Sequence, residues 1–342
     1  MFVDYEYETT LALKKIRPVA IFALGVAVVH VVFGAIVRIS GSGMGCGDNW
    51  PKCNGYWFPP MSRPELVVEV SHRYLATILT LSVASLVVVA WRERFVHGIA
   101  DKGGPLRSAY GALGAVVAAA VLGAVTVKMH NTAFATVAHW CVAMTLLAML
   151  IVTVVRSTTG PDDDRRVSPK TMRGAFAAAA MAGLAVAMGG MTAKYVGAPI
   201  ACRSFPLCGA NPDVPATAAW IQIIHRTIAI LLILHLIGQF MGVRKRYATE
   251  APVVLQAVTI ACVLGILQFL IAGAMIGMRL PPVLRSTHQA VGVSIWLATF
   301  SYAYMSWLGS RPIAEPEVIP VQRASGPRKT VSRISLSQRE LE

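Results

Sequence analysis

One arrangement of cysteines and histidines occurs twice in this chain, and it constrains the fold more than any other feature. Each half contains a loop with two cysteines, then a His-Arg dipeptide at the head of an apolar run, then one more histidine in its last apolar run. In chain order these residues are Cys46, Cys53, His72, Arg73 and His139, followed by Cys202, Cys208, His225, Arg226 and His288. The leading histidines are 153 residues apart and the later ones 149. The sequence therefore predicts two similar halves.

Long apolar runs carry these motifs. Of the 342 residues, 55% are hydrophobic and 14% are charged, whereas a soluble domain has about 25% charged residues. A hydrocarbon core of about 30 Å is crossed by about 20 apolar residues. Eight stretches approach that length, running roughly over residues 19–37, 67–91, 109–127, 133–155, 174–193, 216–243, 252–278 and 282–308. Because backbone groups in lipid must bond internally, we predict an all-α integral membrane protein with eight transmembrane helices.

The positive charge follows the predicted membrane topology. The net charge is +14, and 21 of the 31 Lys and Arg residues lie in segments on the side of the N-terminus. The positive-inside rule explains this bias without a nucleic-acid partner. We therefore predict a multi-pass protein of the cell membrane with both termini cytoplasmic. Both cysteine loops then lie outside, where disulfides persist.

Both halves begin on the same side, so the repeats are parallel. We predict two four-helix bundles related by a pseudo-two-fold axis along the membrane normal. The tail is rich in Pro, Ser and charge and is expected to be disordered. The predicted segments are a cytoplasmic N-terminus (1–18), a first four-helix half (19–155), a cytoplasmic linker (156–173), a second four-helix half (174–308) and the cytoplasmic tail (309–342).

Four histidines lie near the outer ends of the even-numbered helices. Ionisable residues are costly in a bilayer and usually functional. Two neutral imidazoles that face each other across a bundle are what an axially ligated haem needs. We therefore predict one haem site from His72 with His139 and another from His225 with His288. The other interpretation, a bond to a backbone carbonyl or a polar cavity, suits a single histidine better than a repeated pair.

Two further histidines and two arginines have weaker signals. His30 and His235 lie within apolar runs but have no repeat partner, so we interpret both as structural. Arg73 and Arg226 directly follow the leading histidines. Each could pair bidentately with a haem propionate, and each could also extend to the membrane interface.

The loop cysteines are closely spaced and lie on the oxidising face. Cys46 with Cys53, and Cys202 with Cys208, would each close a small disulfide loop. A single four-cysteine metal site is the alternative, but the chain lacks the C-x2-C spacing typical of one. Either disulfide can be a structural staple. The first can also be redox-active, because its glycine-rich loop is expected to be flexible and accessible.

One acidic residue breaks the repeat. Glu69 stands three residues before His72, on the same helix face, whereas the equivalent position before His225 holds Gln222. A lone carboxylate near a porphyrin could stabilise a developing cation or move a proton. Alternatively, Glu69 is an interfacial residue that pairs with Arg73 or bonds water. Because the difference is confined to one half, we favour a catalytic role.

Taken together, the motifs resemble those of haem A synthases over residues 19–308. Two cysteine pairs are similar to the bacterial and archaeal type. The motifs are Gly41-Ser-Gly-Met-Gly-Cys46 with Trp50-Pro-Lys-Cys53, Glu69-Val-Ser-His72-Arg73, Phe205-Pro-Leu-Cys208, Ile224-His225-Arg226 and His288-Gln289.

This resemblance implies an oxidoreductase that converts a methyl group of haem O into the formyl group of haem A, for use by terminal oxidases. It implies haem b as a cofactor on His225 and His288, and the substrate haem on His72 and His139. It implies catalysis by Glu69 together with the first disulfide, and a structural role for the second. It also implies contact with haem O synthase and terminal oxidase assembly, and allows a homo-oligomer.

Two other function classes compete with this interpretation. A dihaem membrane cytochrome that carries electrons between quinone and an outer partner would use the four histidines, but it does not explain Glu69 opposite Gln222. A haem or solute transporter built on parallel repeats would show helices broken near mid-membrane by paired Gly or Pro, and the sequence does not show this.

Overall fold

Eight long α-helices account for most of the residues that the structure describes. The computed structural model describes residues 2–47, 52–158, 166–248 and 250–310, with side chains of the first helix from residue 6 onward. These residues contain no β-strand. The helices are α1 (Phe2–Ile39), α2 (Pro64–Arg92), α3 (Pro105–Lys128), α4 (Ala133–Arg156), α5 (Pro169–Lys194), α6 (Ala216–Lys245), α7 (Pro252–Gly277) and α8 (Pro282–Gly309). The predicted all-α architecture is thus confirmed. Of the described helices, α1 to α7 are long and apolar enough to cross a membrane.

The first helix begins much earlier than its apolar run. It starts at Phe2, whereas hydropathy alone places the start near residue 19. Its early turns pack against other elements: Ile16 is fully buried, and Lys15 forms an ion pair with Glu93 at 2.7 Å. Pro18 lies inside the helix, where it removes one backbone hydrogen bond. Contacts with the rest of the protein therefore stabilise helical turns that hydropathy alone does not predict.

Helix contacts follow the same order in both halves. In the first half, α1 contacts α2, α2 contacts α3, α3 contacts α4, and α4 returns to α1. In the second, α5, α6, α7 and α8 form the same closed ring of contacts. The halves meet where α4 contacts α5 and where α8 contacts both α1 and α4.

The connections between helices repeat as well. The turn between α3 and α4 has positive φ at His130 and Asn131, at 50° and 55°. The turn between α7 and α8 has positive φ at Arg279 and Leu280, at 60° and 63°. Residues other than glycine rarely adopt this left-handed conformation. The repeat seen in the motifs therefore extends to the backbone of equivalent turns.

At the end opposite the cysteine loops, a buried carboxylate joins the start of α5 to the connection before α7. Glu250 accepts hydrogen bonds from Ser168 Oγ at 2.6 Å and from Thr171 Oγ1 at 2.7 Å. Burial raises the pKa of the Glu250 carboxyl, but these hydrogen bonds outweigh it, so the pKa is lowered overall. Parts of the predicted linker (159–165) and of the tail (311–342), together with Trp50 of the first loop, lie outside the described residues.

Candidate functional site

Both cysteine loops are closed by the predicted disulfides. Cys46 pairs with Cys53 and Cys202 with Cys208, each with a Cα–Cα distance of 4.7 Å. This pairing rules out the alternative of a shared four-cysteine metal site. The first disulfide is not accessible as its glycine-rich loop suggested: its half-cystines are 0% and 1% exposed. They are covered because they pack with Leu66 and other apolar residues of α2.

The first loop is fastened to α2 by Glu69. The Glu69 side chain is buried at 5% exposure. One carboxylate oxygen accepts from the Cys46 backbone N–H at 2.8 Å, and the other accepts from Arg73 Nη2 at 2.6 Å. The ion pair that was the alternative for Glu69 is therefore present. The same carboxylate links the disulfide loop to the helix turn that carries His72.

The second loop is held from the equivalent helix position, Gln222, but here the helix side chain donates a hydrogen bond to the loop instead of accepting one. Gln222 Nε2 donates to Ala198 O at 2.7 Å, and its Oε1 accepts from Arg226 Nη2 at 3.0 Å. Arg226 Nη1 also donates to loop carbonyls, including Ser204 O at 2.7 Å. The first loop presents an N–H and requires an acceptor, whereas the second presents carbonyls and requires a donor. The difference between Glu69 and Gln222 thus matches the hydrogen-bonding groups that the two loops present.

One histidine in each half has a defined tautomer. His139 Nδ1 lies 2.9 Å from Ala119 O, and His225 Nδ1 lies 3.1 Å from Ala185 O. A carbonyl oxygen only accepts, so each Nδ1 carries the hydrogen and each Nε2 keeps its lone pair. Iron-ligating histidines are commonly held in this way. The donor set of both halves therefore fits axial ligation of a porphyrin iron.

The members of each predicted pair lie at the same end of their half. His72 lies in the third turn of α2 and His225 in the third turn of α6, whereas His139 and His288 lie in the second turns of α4 and α8. His139 lies close enough to His72, and His225 to His288, for protonation of one ring to disfavour protonation of the other. In the described part of the chain, no three His, Cys, Asp or Glu side chains form a metal-binding group. Ligation of iron by the two pairs stays a prediction.

Glycines lie against three of the four imidazoles. A Cβ atom would crowd the ring at Gly34 and Gly189 and would be in ordinary contact with it at Gly123, so the neighbouring helix backbone lies close to each histidine. Measured from the position of a Cβ atom, the contacts are Gly34 to His72 at 3.2 Å, Gly123 to His139 at 3.5 Å, and Gly189 to His225 at 3.0 Å.

Sequence reasoning missed the position of His30. Its ring stacks on that of His72 with centroids 4.2 Å apart, and it interacts electrostatically with His139. His30 Nδ1 is buried without a hydrogen-bond partner among the described residues. A signal was available, because His30, Gly34 and Arg38 recur every four residues and so share one face of α1. His235, by contrast, bonds Gly174 O at 2.8 Å, which agrees with a structural role.

Fold and site together define a class of protein: an all-helical, multi-pass membrane protein with two histidine pairs suited to porphyrin iron. Comparison with known proteins narrows this class. The sequence profile of the cytochrome oxidase assembly protein family, COX15-CtaA, matches residues 17–68 and 63–300. The chain belongs to this family.

Curated relatives align along most of the chain. The haem A synthase of Geobacillus thermodenitrificans is 28% identical over 289 residues, which are 82% of this chain and 88% of the relative. That of Shouchella clausii is 29% identical over 251 residues, or 72% and 81%. That of Bacillus pumilus is 27% identical over 242 residues, or 69% and 77%.

Proposed function

We propose that the chain is a haem A synthase, an oxidoreductase that converts a methyl group of haem O into a formyl group. Family membership and the aligned haem A synthases support this function. The observation that carries it is the asymmetry of the repeat. Both halves have a disulfide loop and a histidine pair, but the helix residue that holds the loop is a carboxylate, Glu69, in the first half and an amide, Gln222, in the second.

The two halves would divide the work as two four-helix bundles. The first would bind haem O through His72 and His139, and the second would bind haem b through His225 and His288. The closed ring of helix contacts in each half and the tautomers of His139 and His225 support this division. When bound on His225 and His288, haem b would supply a redox centre for the second half.

Glu69 is the residue we assign to catalysis. Conversion of a methyl to a formyl group takes two successive two-electron oxidations, with one oxygen atom added from water or dioxygen. Positive charge develops on the carbon as electrons leave, and a fixed carboxylate nearby lowers the barrier. The Cys46 N–H and Arg73 hold the Glu69 carboxylate in place, so it need not reorient during the reaction. A second two-electron oxidation, with addition of a second oxygen atom, gives the hydrate. The hydrate loses one water to leave the aldehyde with one added oxygen, and an external electron acceptor takes up the electrons.

The first disulfide would take part through the same contact. Cys46 presents its backbone N–H to Glu69, so opening of Cys46–Cys53 would release the loop from α2. Cys202–Cys208 would have a structural role, because Arg226 and Gln222 tie its loop to the helix of His225.

We place the protein in the cell membrane with both termini cytoplasmic, on the basis of the charge bias of the sequence. All eight helices, including α8, would span the bilayer. Haem O synthase would supply the substrate, and terminal oxidase assembly would consume the product. Self-association into a homo-oligomer is also compatible with this arrangement.

Porphyrin analysis tests the function. The chain is expressed in cells that make haem O but no haem A, and extracted porphyrins are identified by mass. Haem A should appear with the wild-type chain and be nearly absent with Glu69→Gln. If a folded, haem-containing chain leaves haem O unchanged, the chain is an electron-carrying cytochrome and the proposal is wrong.

A further inference from the structure

Three cationic side chains cluster where the two halves meet. Arg38 lies in the last turn of α1, Lys194 in the last turn of α5 and Arg285 in the first turn of α8. Helices α1 and α8 are in contact, and the positive charges of Arg285 and Lys194 are close enough to Arg38 for mutual repulsion. None of the three forms an ion pair with a carboxylate in the described part of the chain. All three side chains are partly buried. Like charges close together repel one another, so a bound anion would stabilise this cluster.

Arg38 is positioned between the two histidine pairs. Its Nη2 donates to Gln289 Oε1 at 2.9 Å, and its guanidinium lies 5.6 Å from the centre of the Trp140 ring. Trp140 directly follows His139, and Gln289 directly follows His288. Arg38 Nε is buried without a hydrogen-bond partner among the described residues. One donor of a well-held guanidinium therefore remains for a ligand.

The cluster lies close to both sites along the helices. Arg38 follows Gly34, the glycine that contacts His72, by one turn of α1, and Arg285 precedes His288 by one turn of α8. One turn rises about 5.4 Å. A porphyrin at either site carries two propionate carboxylates, and these are the anions that the proposed function itself supplies. Arginine suits them because its planar fork can donate two parallel hydrogen bonds.

The two arginines that the sequence offered as candidates for propionates, Arg73 and Arg226, have other partners. Arg226 donates to carbonyls of the second cysteine loop, and Arg73 donates to a carboxylate on its own helix. We propose that Arg38, Lys194 and Arg285 form a propionate-binding site shared by the two porphyrin sites, with Arg38 as the principal donor. This inference rests on the proposed function and assigns it a further set of binding residues.

The test compares binding of a porphyrin that has free propionate carboxylates with binding of one whose carboxylates are esterified. The full chain, purified in detergent with the haem it retains, is titrated with protohaem and separately with protohaem dimethyl ester. The ester keeps the ring and iron but has no carboxylate. Wild-type protein should bind protohaem about 10- to 100-fold more tightly than the ester, as expected for charge-assisted hydrogen bonds. Arg38→Gln should remove most of this preference, and Arg38→Lys should keep part of it.

Arg156→Gln is the matched control. Arg156 is also a partly buried arginine where α4 meets α8, but it lies at the other end of α4 and bonds Tyr304. Its variant should keep the wild-type preference. Lys194→Gln and Arg285→Gln test the same preference if Arg38→Gln does not fold. If wild type binds protohaem and its dimethyl ester equally well, or if Arg38→Gln keeps the full preference for protohaem, the propionate site is wrong but the proposed function stands. Failure of wild type to bind either porphyrin overturns the proposed function with it.

Discussion

Replacing Glu69 with glutamine should loosen the first cysteine loop by an amount that follows from its contacts. The carboxylate accepts from Cys46 N–H at 2.8 Å and from Arg73 at 2.6 Å. An amide offers one acceptor oxygen and an NH2 donor, so one of these donors would face another donor. A hydrogen bond to a charged group contributes about 1.5–3 kcal/mol. Loss of one should therefore shift the docking equilibrium of the loop about 10- to 150-fold toward the open state.

Reduction of the disulfide measures this opening. Both half-cystines are buried, so dithiothreitol should reach Cys46–Cys53 only when the loop opens. Alkylation and peptide mass mapping should show faster reduction in Glu69→Gln, with Cys202–Cys208 unchanged. Haem A production should fall by about 10²–10³, while folding and the second-half haem are kept.

Gln222→Glu is the matched control in the other half. It sets a carboxylate against the carbonyl of Ala198, which Gln222 now donates to, so the second loop should open instead. It should not create a second active half. If Glu69→Gln leaves the reduction rate of Cys46–Cys53 unchanged, the hydrogen-bond account of the loop is refuted. If haem A production is also unchanged, Glu69 is not catalytic.

Three further changes test other parts of the molecule. His225→Leu should abolish the low-spin b-type spectrum of the purified chain or turn it high-spin, because one axial ligand is lost; an unchanged spectrum would disprove this ligand. Cys202→Ser should cost about 2 kcal/mol of loop-closure entropy, seen as a lower Tm and faster haem loss, and equal haem retention would count against its structural role. The contribution of Glu250 to stability should be complete above the ordinary carboxyl pKa of about 4.3 and be lost as pH falls through its lowered folded pKa. Glu250→Gln should therefore flatten the acid side of a Tm–pH profile, and a profile identical to wild type would contradict the assignment.

Hydropathy predicted most helix boundaries because a long apolar segment in lipid has no alternative to a helix. Helix α2 begins at Pro64, three residues before its apolar run, and α4 begins at Ala133, as predicted. Helix α1 is the exception. The part of α1 before residue 19 mixes polar and apolar residues, and Ala12 and Ile16 within it are buried in the core of the first half. A tertiary contact of this kind leaves no pattern in hydropathy.

The candidate site was partly predictable for a related reason. Disulfide partners and histidine pairs repeat, so the two halves corroborate each other. The sequence does not show which backbone groups a loop turns toward a helix, so the donor and acceptor roles of Glu69 and Gln222 appear only in the structure. His30 lacks a repeat partner and was interpreted as structural, and Arg38 was not singled out, although their common face on α1 was visible in their spacing.

The most direct test of the central claim, the division of labour between the halves, is the porphyrin content of two single variants. His72→Leu and His225→Leu chains are purified from cells that make haem O, and their bound porphyrins are identified by mass. His72→Leu should retain haem b with no bound haem O or haem A, and His225→Leu should lose haem b. Loss of haem b from His72→Leu, or its full retention in His225→Leu, would contradict the assignment of substrate and cofactor to separate halves.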